Sequence, residues 1–378
     1  MRKMTGLLGA MAVSALLLGA CSGTTSSTET TVAVSESSTQ ETSQSAESSA
    51  ESTTAESTVA ESQTEAKSDA VSSASLQGRK EVDEMVYQNE AGQTVVSHKY
   101  GETVVPENPE RVVCLKLEDL MLALGADMVA CQNIKGYYLE EKINALGIGN
   151  IAVDEEANTV NLEQVLSYQP DLIVIRDSFD QSVYDELSAI APTIAFHLQT
   201  PASSILALGK ALGMEEEAEA RLVEYGDKIA AAKEKLSAVA GEEVAMLRIM
   251  QKEIRLYPYS SNDMSRFLYD ELGLTPDPKA IEYDKAESLA ISMESLPDLT
   301  AKHIFVVAGY GTASDENVAA ARERFDSIKA DPLWQNVPAV QTGNIYEVDS
   351  RVWLTHGILA VESKIDDVVK YLAPESAN

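Results

Sequence analysis

Histidine is scarce in this chain: His98, His197, His303 and His356 are the four in 378 residues. They fall in unrelated segments, which argues against a directly ligated zinc or manganese centre, since such a centre needs several His and carboxylates converging. Cysteine is scarcer, with Cys21, Cys114 and Cys131, too few for a disulfide framework. Cys114 and Cys131 sit in two short apolar runs that read as neighbouring strands, and buried free thiols are favoured there over a pair. No Gly-x-Ser-x-Gly elbow, no His-Glu-x-x-His and no glycine-rich phosphate loop occurs, which counts against an enzyme and leaves a surface hydrolase as a remote alternative. Bases are few as well: 29 Lys and Arg face 60 Asp and Glu, for a net charge of -31. Such a surface repels nucleic acid and serves solubility. It also disfavours a strongly anionic cargo unless basic groups line a pocket locally.

What is present begins with a basic start, Arg2 and Lys3, and an apolar run from Leu7 to Leu18. That run is too short to remain as a membrane span. With small residues behind it, it reads as a secretory signal over residues 1–20. Leu18-Gly19-Ala20-Cys21 resembles a bacterial lipobox, which implies lipidation of Cys21 and attachment to the membrane through that anchor only. Residues 22–78 contain no Phe, Tyr, Trp or Ile. A segment so poor in apolar surface cannot offset its ordering entropy, so residues 21–80 read as a disordered Ser/Thr/Glu-rich tether. Relaxed, it spans roughly 40 Å, and stretched, on the order of 190 Å, which suits work through a thick, Gram-positive cell wall.

Met85–Tyr87 and Thr94–His98 read as a hairpin around Glu90-Ala91-Gly92. After Arg111, strands and helices alternate. Val112–Leu115, Met128–Gln132, Ile151–Val153, Leu172–Ile175 and Thr193–Phe196 are expected strands. Glu118–Leu124, Leu139–Leu146, Asn161–Tyr168 and Val183–Ile190 are expected helices between them. This order implies a parallel sheet flanked by helices. Over residues 215–238, Ala218, Leu222, Tyr225, Ile229, Ala232 and Leu236 recur at spacings of three and four, the mark of one long helix. Glu215–Glu217 at its start and Lys233 and Lys235 near its end suit the helix dipole. A second α/β set follows, with strands at Val244–Ile249, Ile304–Val307 and Ile345–Val348. Its expected helices are Phe267–Leu272, Met293–Leu296, Val318–Ile328 and Ile358–Leu372. The expected division is 81–214 for an N-terminal lobe, 215–238 for an interlobe helix and 239–378 for a C-terminal lobe.

Several ordered segments then resemble one known family. They include Pro109-Glu110-Arg111-Val112-Val113, Asn161-Leu162-Glu163, Gln169-Pro170-Asp171-Leu172-Ile173-Val174 and Ile190-Ala191-Pro192-Thr193. Further on come Leu268-Tyr269-Asp270-Glu271-Leu272-Gly273-Leu274, Ile291-Ser292-Met293-Glu294-Ser295-Leu296-Pro297, Asp331-Pro332-Leu333-Trp334-Gln335-Asn336 and Gly343-Asn344-Ile345-Tyr346-Glu347-Val348-Asp349. Across residues 94–373 the chain is similar to the iron-siderophore and cobalamin class of ABC-importer binding proteins. The resemblance implies an α/β class III periplasmic-binding-protein fold: two Rossmann-like lobes with parallel sheets, joined by one long rigid helix, with the ligand in the cleft between them. It implies a monomer, not an enzyme, with no cofactor and an iron(III) chelate as transported ligand. It also implies a permease dimer with its ATPase as partner. Glu163 and Glu294 match the family's two permease-docking glutamates, one on each lobe.

In parallel α/β lobes, ligand groups gather where strands end. On the first lobe those positions are Lys116, Gln132, Lys135, Tyr137, Tyr138, Arg176 and Asp177. On the second they are Arg248, Gln251, Tyr257, Tyr259, Tyr310, Arg351, Trp353 and His356. Arg and Tyr donate to the oxygens of a ferric siderophore, and aromatic faces pack on its organic frame. Arg176, Tyr257, Arg351 and Trp353 lead this set. The net acidity favours a hydroxamate complex over a catecholate. Haem is the competing cargo, with His356 as axial ligand and Tyr137, Tyr138 or Met250 opposite. Cobalamin is disfavoured, because no aromatic residue directly precedes Asn161.

Overall fold

The computed structural model describes residues 79–374, apart from 156, 198–199, 261–262, 285–288 and 310–314. The expected signal, Cys21 and nearly all of the tether lie outside the described residues, as does Tyr310.

A short helical stretch over residues 79–85 leads into a three-stranded antiparallel sheet. Its strands are Val86–Gln88, Thr94–His98 and Gly101–Val104. The expected hairpin is there, with its turn closed by Gly92 in a left-handed conformation (φ 77°) and by the Asn89 side chain, which accepts from the backbone N–H of Ala91 and Gln93. The third strand had no strong β signature: Gly101–Val104 carries two apolar-poor, exposed positions at its start.

The first lobe is built on five parallel strands in the order Thr193–Phe196, Leu172–Arg176, Val112–Leu115, Ala130–Cys131, Gly149–Asn150. The last of these lies two residues before the expected strand at 151–153. Val153–Asp154 instead pairs antiparallel with Thr159–Val160. Cys114 and Cys131 are register partners on adjacent strands, and both are buried free thiols.

The second lobe is a mixed sheet. Glu243–Ile249, His303–Ala308 and Ile345–Val348 run parallel, while Ile254–Leu256 and Leu289–Ile291 add two antiparallel strands on the other side. A wholly parallel second sheet was expected. These two strands are only three residues long, too short to show periodicity.

Between the lobes runs the helix Glu215–Leu236, which passes into a 3-10 turn at Ser237–Val239. Twenty-two residues make it about 33 Å long. It packs on Pro201–Leu212 from the first lobe and on the last helix, Ile358–Leu372. Arg221 pairs with Glu362 at 2.5 Å and Lys228 with Asp366 at 2.7 Å across that second contact. The core follows from strand alternation, since successive side chains point to opposite faces. Val113, Leu115, Ile173 and Ile175 fill one side of the first sheet, and Ala245, Leu247, Ile304 and Val306 fill one side of the second. Val112, Cys114, Leu172 and Val174 turn the other way, as do Val244, Met246, Phe305 and Val307. With the three helices they form one core that spans both lobes.

Candidate functional site

A cavity of about 370 Å³ opens between the lobes. It lies at the carboxyl ends of the parallel strands, where backbone groups leave the sheet ladder unpaired and side chains diverge. Lys116 follows the strand Val112–Leu115 in a left-handed conformation (φ 66°). The Glu118 carboxylate accepts from the backbone N–H of Lys116 at 2.9 Å and of Gln132 at 3.1 Å, so it ties two adjacent strand ends together. Burial pushes this carboxyl up to about 7, against those hydrogen bonds, which favour the ionised form. The Lys116 ammonium lies 3.2 Å from Glu155, donates to Asn158 at 3.1 Å and sits 4.6 Å over the Phe179 ring.

Of the residues expected at the site, the structure gathers seven around the cavity: Lys116, Gln132, Tyr137, Tyr138 and Arg176 from the first lobe, and Arg248 and His356 from the second; Lys135, Asp177 and Gln251 do not line it. Tyr137 and Tyr138 meet edge to face at 4.6 Å. Arg176 closes the strand Leu172–Arg176. The Arg248 Nε donates to the Gly309 carbonyl at 3.2 Å. His356 is half-buried, and its Nδ1 is buried with no hydrogen-bond partner among the described residues. Burial first, then the cations Arg176 and Lys364 and the neighbouring His197, push its imidazole down to about 3, so it is neutral at physiological pH.

Four expectations are corrected. Trp353 does not face the cleft: its side chain is 0% exposed. It stacks on Phe305 at 4.8 Å, meets Phe267 edge on and donates its indole N–H to Asp367 at 2.9 Å. Burying so large a ring against two others outweighs any contact it would offer a ligand. Tyr257 likewise lies in the core at 7% exposure. Tyr259 is half-buried and leans on Tyr269 at 5.7 Å, away from the cavity. Arg351 is a bridge between lobes rather than a lining residue. Its guanidinium donates to the Gly136 carbonyl at 2.7 Å, against a glycine with φ 72°.

Sequence reasoning missed Asp119. This buried carboxylate of the first lobe accepts from the backbone N–H of Leu359 and Ala360, each at 3.0 Å, and so caps the last helix of the second lobe. Tyr138 donates to the same carboxylate. Gly357 is required here, because a Cβ would stand 1.9 Å from the Asp119 Cγ. Acids in the first turn of a helix ordinarily serve its own dipole, so the sequence carried no sign of this role. Met264, Glu155 and Thr355 also line the cavity and carried no sequence signal. Glu163 and Glu294 are both exposed, each in the first turn of a helical segment, one on each lobe.

Two α/β lobes on one stiff helix with a polar cleft between them define a binding protein. The periplasmic binding protein family profile matches residues 116–352, and the chain belongs to that family. It is therefore a substrate-binding protein of transport and not an enzyme. It is similar to the probable siderophore-binding lipoprotein YfiY of Bacillus subtilis, 29% identical over 73% of this chain and 86% of the relative. It is also similar to the iron(3+)-hydroxamate-binding protein FhuD of Bacillus subtilis, 26% identical over 72% of this chain and 84% of the relative. Among solved structures, Staphylococcus aureus SirA complexed with staphyloferrin B superposes with a TM-score of 0.63 at 27% identity, covering 74% of this chain and 98% of that one.

Proposed function

We propose that this protein captures a ferric siderophore in the interlobe cleft and delivers it to an ABC importer, held at the extracellular face of a Gram-positive membrane through lipidated Cys21. The observation that carries the reading is the cavity at the strand ends, lined from both lobes by Arg176, Arg248, Lys116, Tyr137 and Tyr138. A ferric siderophore presents an oxygen-clad surface, and this set offers guanidinium, ammonium and phenol donors to it. The relatives named for siderophores and for iron(3+)-hydroxamates support the same cargo class.

A hydroxamate complex is favoured. Around the cavity the cations Lys116, Arg176 and Arg248 are matched by the acids Glu118, Asp119 and Glu155. Burial raises Glu118 to about 7 and pushes Asp119 up as well, so these acids offset the cations only in part; a lining of mixed sign suits a neutral chelate, such as iron held by three singly charged hydroxamates, better than a highly anionic catecholate. Haem is the second reading, because His356, which lines the cavity, carries a neutral imidazole. Docking to the permease through Glu163 and Glu294 completes the proposal, since two charges at fixed separation orient a binding protein on a symmetric partner.

Mass spectrometry of the ligand that co-purifies from iron-starved cells, with an absorbance spectrum of the same sample, separates these readings. A ferric hydroxamate mass with a broad visible charge-transfer band is expected. A sharp Soret band identifies haem instead and overturns the siderophore reading.

A further inference from the structure

Lys364 lies in the last helix, Ile358–Leu372, and its side chain is 0% exposed. An ammonium buried to that degree is costly unless it is paired and hydrogen-bonded. No carboxylate among the described residues comes within salt-bridge distance of it. Its hydrogen bond goes to the backbone carbonyl of Thr355, at 2.7 Å, and its charge stands 5.3 Å over the Phe267 ring. Thr355 lines the cavity together with Leu354, His356 and Gly357. This segment links buried Trp353 to the last helix.

We propose that Lys364 is a positioning residue for the ligand cleft: its buried ammonium grips the Thr355 carbonyl and so holds the 354–357 wall, with Thr355 and His356, where the ligand meets it. The inference rests on the cleft being the siderophore site. An apolar side chain of similar length would fill the same volume without the desolvation penalty, but it would leave the wall without its tether. The wall is thereby tied to the interlobe junction. The charges facing Lys364 are Glu271, from the segment Phe267–Glu271, and Asp119, from the first lobe. Glu271 in turn accepts from Tyr225 on the long helix. His356 stands on the wall itself. On Lys364's own helix, Glu362 is held by Arg221, Asp366 by Lys228 and Asp367 by the Trp353 indole.

Burial pushes Lys364 down to about 7, with Glu271 and Asp119 pulling the other way. The charge that grips Thr355 is therefore present at pH 6 and lost as the pH rises through 7 and 8. The test is calorimetric titration of the full lipoprotein with ferrioxamine B, for wild type and Lys364→Met, between pH 6 and 8.5. A charge-assisted hydrogen bond contributes enough for about a tenfold effect. Wild-type affinity is expected to exceed that of Lys364→Met about tenfold at pH 6 and the gap to narrow by pH 8.5, where the neutral amine donates only an uncharged hydrogen bond to Thr355, while the Met variant melts no lower than wild type. Equal affinities at pH 6 overturn the inference. The peptide 15N resonance of His356, bonded to the Thr355 carbonyl, gives a second readout that needs no variant at Lys364. It is expected to shift with a single transition near pH 7, and to do so also in Glu118→Gln, which removes a buried carboxyl titrating near that pH, and in His197→Gln, which removes the imidazole whose charge acts on His356. A flat resonance overturns the inference even where Lys364→Met does not fold. A wild type that binds no ferric siderophore sinks the siderophore reading itself, and the inference with it.

Discussion

At the scale of single residues, the strand-end rule found the cavity and misjudged the last strand's far side. Lys116 and Arg176 directly end or follow strands, so their direction is set by the sheet. Trp353 is different, because it sits in the short helix Ser350–Trp353, where one residue's shift in register turns a ring from cleft to core. Its partner Asp367 is fourteen residues away on another helix, and nothing local in the sequence pairs them. Asp119 was invisible for the same reason, since its partners lie 240 positions downstream. Trp353→Ala is expected to cost about 3–5 kcal/mol by removing a fully buried ring, read from urea denaturation. Affinity for ferrioxamine B in the folded fraction should stay within a few fold of wild type. A stable variant with abolished binding would put Trp353 back in the cleft. Lys364 carries a stability signature of its own. Its folded pKa, about 7, is below the ordinary lysine range, so the unfolded chain binds more protons between these limits. Stability accordingly rises as pH increases from about 7 toward 10, and Lys364→Met should flatten that rise in thermal melts.

At the scale of elements, the long helix was the most legible feature. Its acidic first turn, basic last turn and apolar stripe all agreed, and the buried positions are Ala218, Tyr225, Ala232 and Leu236. Leu222 and Ile229, on the same stripe, are only partly buried, because the stripe is wider than the contact it serves. The short antiparallel strands of the second lobe were not legible, since their pairing depends on neighbours far along the chain rather than on local pattern. Gly226 sits inside the helix with open space where a Cβ would point. Gly226→Ala is therefore expected to stabilise the protein by about 0.5–1 kcal/mol, as a raised denaturation midpoint with unchanged ligand affinity. A destabilised variant would mean that the helix needs glycine's freedom there.

At the scale of the whole molecule, the two lobes share a core that runs through three helices. They are further tied by the Asp119 cap on the last helix and by Arg351 on Gly136. Contacts of this kind oppose large movement of one lobe against the other, and so hold the two exposed glutamates near a constant separation. Glu163→Ala combined with Glu294→Ala should abolish uptake of labelled ferric siderophore by cells while leaving affinity within twofold of wild type. Lost affinity would mark these glutamates as structural. The central claim is that the cleft between the lobes receives the chelate. Its most direct test is calorimetric titration of ferrioxamine B into wild type and into the double variant Arg176→Ala/Arg248→Ala. One-to-one saturable binding in the wild type, weakened at least a hundredfold in a double variant that melts normally, is the expected result. Undiminished binding by the double variant would place the ligand somewhere other than this cleft.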